Sequence, residues 1–170
     1  MSELKAYDKA ASMFYKTLSI SEAPLLSWDI YSQHFFRISK CSNDAHYFNN
    51  LSKNWKQQWD FNEELFQKDR VVILTDAVLN IVYSSYNITG LNGYTLEEIK
   101  GKSPKMFQGK DTCKKTSDYI RKAIQKEESF QAKILNYKKN GSTYLCDIEG
   151  HPIHNKKGEL INFIAFECPA

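Results

Sequence analysis

Apolar positions along the chain follow two different periods. Over the first seventy residues they recur every three or four positions, the spacing of one face of an amphipathic helix. Leu4, Tyr7, Ala11, Phe14 and Leu18 form the first such series. A Ser-Glu-Ala-Pro break follows at 21–24. Trp28, Tyr31, Phe35 and Ile38 make a second series, with Ser27 as its N-cap, and Ala45, Phe48, Leu51 and Trp55 a third. Asp60 and Glu63 have the spacing of a capping box that opens a short fourth helix carrying Leu65 and Phe66.

After Arg70 the period changes. Val71–Asp76 is apolar and β-branched, and Asn80–Ser85 follows after a short turn, which predicts a hairpin. Thr95 with Glu98 three residues later predicts a capped short helix, and 101–109 reads as a loop. A helix is expected over 112–126, with Ile120 and Ile124 on one side. Three strands are expected near 129–137, 143–151 and 160–168, separated by turns at Asn140-Gly141 and Lys157-Gly158. The order β-β-α-α-β-β-β implies an α+β domain, an antiparallel sheet with helices on one face.

Composition sharpens this division. Residues 1–70 hold all three tryptophans and 13 of the 23 aromatic residues. They balance nine basic against nine acidic side chains, so the net charge of +3 comes from residues 71–170. The expected organisation is a helical cap or dimerisation segment over 1–70 and a compact domain over 71–168. A charge of +3 without a dense basic stripe gives no electrostatic footprint for nucleic acid. No apolar run is long enough to span a bilayer and no leader is visible at the N-terminus, so no membrane partner and a cytoplasmic location are expected. Cys41, Cys113, Cys146 and Cys168 form no CxxC and no Cys/His spacing suited to a metal, which fits reduced thiols. His34 and His46 lack a second ligand at helical spacing and read as structural or surface imidazoles, and His151 and His154, near the end of the middle long strand, are expected at the surface. No nucleophile elbow, P-loop or HExxH motif is present, so a non-enzymatic role is expected.

The segment from Gly93-Tyr-Thr-Leu-Glu-Glu-Ile through Gly101-Lys-Ser-Pro-Lys-Met-Phe-Gln-Gly-Lys-Asp-Thr112 resembles the PAS family, in its light-oxygen-voltage (LOV) branch. Thr75-Asp76, the Leu135–Gly141 turn and Gly158–Ile164 support the resemblance, which covers about 71–168. It implies a PAS-type five-stranded antiparallel sheet with helices on one face, here preceded by an N-terminal helical cap. Photoactive LOV loops read G-[RK]-N-C-R-F-L-Q-G, with a cysteine that adds to an excited flavin. Here Ser103 stands at the asparagine and Pro104 at the cysteine. Gln108 and Asn136 match the family's loop glutamine and strand asparagine, whereas Cys146 stands at the second asparagine and Glu167 at the last-strand glutamine.

An ionised carboxylate only accepts hydrogen bonds, so Glu167 would repel a flavin carbonyl unless burial kept it protonated. The resemblance therefore argues against flavin, and the helix over 112–126 offers no histidine for haem. Strand alternation still sketches a cavity. Ala132, Ile134 and Asn136 would face in, with Tyr144, Cys146 and Ile148, then Phe163, Ala165 and Glu167. Ile73, Thr75, Met106 and Gln108 would close it. Such a cavity suits a small-molecule ligand, or its side chains simply fill it. The opposite face would carry Leu135, Tyr137, Leu145, Ile164 and Phe166, a large apolar patch to leave wet. The aromatic N-terminal helices are expected to cover it, in the same chain or in a homodimer.

The resulting expectation is a sensory and interaction module that pairs with itself, or with a separate signalling partner, in response to a small molecule. A flavin sensor working without an adduct and a purely structural dimerisation module stay open beside it.

Overall fold

The computed structural model describes residues 26–170, and side-chain surroundings from Tyr31 onward. The helix expected over Leu4–Leu18 lies outside the described residues. Helix α1 runs without interruption over Leu26–Leu51. The second apolar series and the third as far as Leu51 thus lie on one helix, not two, and Trp55 follows it in extended conformation. Residues 39–44, Ser-Lys-Cys-Ser-Asn-Asp, contain neither glycine nor proline, so nothing stops the backbone there. A 3₁₀ turn at Ser52–Asn54 ends it. Asp60 then caps a short turn, accepting from the Asn62 and Glu63 backbone N–H groups at 2.9 and 3.2 Å. That turn widens into a π-helical one at Glu63–Gln67.

The turns of α1 up to Phe36 belong to one compact unit and Arg37–Ala170 to a second. The second unit is built on a five-stranded antiparallel sheet in the order β2-β1-β5-β4-β3. Its strands are β1 (Val71–Asp76), β2 (Ile81–Ser84), β3 (Phe130–Tyr137), β4 (Thr143–His154) and β5 (Leu160–Pro169). Short helices α2 (Ile88–Asn92) and α3 (Leu96–Ile99), a 3₁₀ turn at Pro104–Phe107 and helix α4 (Lys114–Gln125) connect β2 to β3. Thr95 and Glu98 form the expected capping box on α3. Gly141 and Gly158 take positive φ at the two turns between long strands, a conformation that glycine adopts without steric cost.

The far face of the sheet is covered from within the unit. Cys41, Ala45, Phe48, Trp55, Phe61 and Leu65 form one buried cluster with Val72, Leu74, Ile153, Ile164 and Phe166. Two polar anchors fix the segment. Asp44 is buried, and its carboxylate accepts from the Tyr83 hydroxyl at 2.7 Å and the Tyr86 backbone N–H at 2.8 Å. Trp55 bridges Asn155, and the Lys56 N–H donates to the His154 carbonyl at 2.9 Å.

The expected apolar patch is therefore divided. Ile164 and Phe166 are buried under this segment, but Leu145 is 45% exposed. Tyr137 turns to the sheet edge instead, where its hydroxyl donates to the Asp111 carboxylate at 2.6 Å. The strand order explains this: β5 is central and β3 is an edge, so a segment lying over β1, β5 and the end of β4 leaves the β3 side open.

Candidate functional site

On the other face of the sheet a cavity of about 550 Å³ lies between β1, β3, β4, β5, helix α4 and the loop at 103–108. Its floor is apolar, from Ile73, Ile134, Ile148, Phe163 and Ala165, and α4 adds Ile120 and Ile124. The antiparallel register sets Ile148 opposite Glu167 and Ile73 opposite Ala165, which brings these inward-facing positions together.

Of the polar residues singled out in the sequence, Gln108, Asn136, Glu167 and Thr75 line the cavity. Cys146 does not: it is fully buried behind Glu167, with its thiol donating to Glu167 Oε2 at 3.6 Å. Met106 also lies outside the wall, packed with the cluster of Ile81, Ile88, Leu91, Ile99 and Phe107. The 3₁₀ turn rotates successive side chains by a third of a circle, so Phe107 and Gln108 reach the cavity and Met106 turns to the core. Tyr144 and Ala132 are not in the wall either. The Tyr144 hydroxyl is buried beside Asn136 and Asn92, without hydrogen-bond geometry to either.

Three contributions to the wall escape strand alternation. Pro104 lines the cavity directly. Helix α4 supplies Ser117, whose hydroxyl donates to Gln108 Oε1 at 3.1 Å. That bond takes one of the amide oxygen's two acceptor positions, and the amide N–H₂ donates to no group among the described residues. The third is the pairing of Gly150 with Phe130. A Cβ on Gly150 would stand 2.3 Å from the Phe130 ring, so glycine is what lets that ring cross the strand and wall the cavity. Gly150→Ala is expected to cost about 1–3 kcal/mol by displacing Phe130, measured by urea unfolding, because overpacking forces side chains off their rotamers. This signal becomes visible only once register is known.

Glu167 dominates the electrostatics. It is 3% exposed and forms no ion pair among the described residues. Burial pushes its carboxyl up to about 7, and the Cys146 thiol only partly opposes this. Burial likewise raises the Cys146 thiol and the Tyr144 phenol, each further raised by the nearby Glu167 charge. No cysteine is in the cavity wall: Cys113 is exposed at the start of α4, and Cys146 is screened by Glu167. Among the described residues no group of three or more His, Cys, Asp or Glu side chains is placed to hold a metal ion.

An antiparallel sheet of this order, with short helices and a cavity on one face, defines a class of small α+β sensory modules. A family model for the PAS domain matches residues 68–167, and the chain belongs to that family. Protein TWIN LOV 1 of Arabidopsis thaliana is 37% identical over 100 residues, covering 56% of this chain and 25% of that protein. A nitrogen fixation regulatory protein of Klebsiella oxytoca is 25% identical over 101 residues, covering 59% of this chain and 20% of that protein. The chain thus spans a quarter or less of the length of these relatives. Among solved structures, the dark structure of the blue-light photoreceptor Aureochrome1 LOV superposes with a TM-score of 0.61 at 27% identity, covering 68% of this chain and 86% of that one. No helix among the described residues is long and apolar enough to cross a membrane.

Proposed function

We propose that this chain is a cytoplasmic, non-enzymatic PAS module that senses a small molecule and relays its binding through protein contacts, as a homodimer or to a separate signalling partner. The observation that carries this reading is the 550 Å³ cavity, of the size and make-up of a ligand site: an apolar floor with a few convergent polar groups. The relay follows from β5. Ala165 and Glu167 face the cavity, while Phe166 between them packs under the Cys41–Leu65 segment on the far face. A ligand that shifts β5 must alter that packing, because close-packed interiors transmit displacement.

In this reading the module is LOV-like without adduct photochemistry. With Pro104 in place of the resemblance's reactive cysteine and no thiol in the wall, no thiol nucleophile is available to a ring held there. Glu167 meets a flavin carbonyl only in its protonated form, which burial sustains up to about pH 7.

Native mass spectrometry of freshly purified protein tests the proposal, since it reports bound small molecules and subunit count together. A retained ligand mass is expected, with a change in subunit count or partner binding when the ligand is removed. A chain that carries no ligand and shows no thermal shift across a metabolite panel would leave only a structural module. A second reading, a flavin sensor working by reduction alone, is favoured by Gln108 and Asn136 in the wall. A colourless preparation after refolding with added flavin would remove it.

A further inference from the structure

Glu167 is a buried acid without an adequate partner among the described residues. One of its oxygens, Oε2, accepts from the Cys146 thiol at 3.6 Å. A thiol is a weak donor, and a carboxylate has about four acceptor positions to satisfy. Of the two cations that line the cavity, Lys105 and Arg121, the second pairs with Asp118 at 3.1 Å, and neither forms an ion pair with Glu167. An unpaired polar group of this kind is costly to bury, so a group that supplies donors to it binds with a large advantage. In the loop at 103–108 the polarity is reversed. The Gln108 amide oxygen accepts from Ser117, and its N–H₂ stays an available donor among the described residues. The floor that Glu167 and Gln108 share is apolar, from Ile73, Ile134 and Ala165.

From this arrangement we infer that the cavity selects a flat heteroaromatic ligand with an amidine-type edge, a ring nitrogen beside an exocyclic amino group, which pairs with the Glu167 carboxyl through two parallel hydrogen bonds. The inference rests on the reading of the cavity as a small-molecule site and adds the ligand's chemistry to it. The pairing holds in either protonation state. An amidinium donates twice to a carboxylate, whereas a neutral amidine accepts once from a carboxylic acid and donates once back. The same proton lies between one nitrogen and one oxygen in both cases. Paired, charge-assisted bonds of this type add geometric selectivity as well as strength. A ring edge presenting a carbonyl has no equivalent match to an ionised carboxylate.

The test uses the full chain and two probes of nearly equal shape, 2-aminoquinoline and 2-methylquinoline. Only the first has the donor edge. Isothermal titration is expected to show wild-type protein preferring 2-aminoquinoline by about tenfold or more, the effect of one good charged hydrogen bond. In Glu167→Met, whose folding is checked by circular dichroism and thermal melting, the preference is expected to fall to about twofold or less, as the thioether offers no donor and only a weak acceptor to the amidine edge. Amide chemical shifts at Ile148 and Ala165 place the bound probe in the cavity. Equal affinity of the two probes for wild type would overturn the ligand class and leave the cavity standing as a binding site. A preference that survives Glu167→Met would overturn the role given to Glu167. Binding of neither probe at millimolar concentration, with no shift at the cavity amides, would overturn both the inference and the reading on which it rests.

Discussion

Glu167→Gln is expected to leave the protein about 3 kcal/mol more stable than wild type at pH 8 and little different from it near pH 4, where both states of the acid are protonated. Burial holds the folded-state carboxyl at about 7, against an ordinary value of 4.5. Between those values the folded protein keeps a proton that the unfolded chain releases. The stability tied to this group is therefore fully present below about pH 4.5 and is lost as pH rises through 7. Glutamine has the same shape, accepts the Cys146 thiol and has no proton to lose, so its advantage grows across that window and then levels off. Urea midpoints for both proteins at pH 4, 6 and 8 measure it. A difference that does not change with pH would show that the carboxyl does not titrate in that range.

Phe48→Ala is expected to cost about 3–5 kcal/mol, the range for removing a fully buried phenylalanine from a core that cannot collapse around the void. Phe48 is fully buried. Its ring stacks on Phe61 at 5.0 Å and meets Tyr83 edge-on at 5.4 Å. Unfolding of the variant in urea at neutral pH checks this, and a loss below about 1 kcal/mol would mean that the helical segment contributes little to the unit. Leu145→Ala serves as the control. It lies on the part of the sheet that this segment does not reach, and surface substitutions of this kind stay within about 0.5 kcal/mol.

These two residues also mark how far the sequence could be read. The succession of strands and helices along the chain, the Thr95–Glu98 cap and the turns at Gly141 and Gly158 were legible because each rests on local chemistry, such as alternation, capping and positive φ. Glu167, Asn136 and Thr75 were legible as inward-facing because alternation along one strand is enough. Gln108 was legible through its place in the motif. Cys146 and Met106 were misplaced because facing inward is not the same as lining the cavity. Glu167 stands in front of the first, and the 3₁₀ turn rotates the second into the core. The role of Gly150 depends on which residue opposes it, and register is a property of two strands. The continuous α1 helix was missed for a different reason: the apolar series drifts around a long helix, and that drift reads as two short ones.

The sheet is one layer thick, and aromatic side chains crowd its far side. Trp59 is half-buried there, 5.5 Å from the His151 ring and 6.0 Å from that of Phe166. Phe166 sits between two residues that line the cavity on the other side, and Gly150, next to His151, lines it as well. The indole thus stands one backbone away from whatever enters the cavity, in surroundings that this backbone sets. The molecule carries its own optical gauge. Tryptophan emission, with Trp59→Phe as the blank, would follow binding in the unlabelled protein and time the passage of the signal from one side of the sheet to the other.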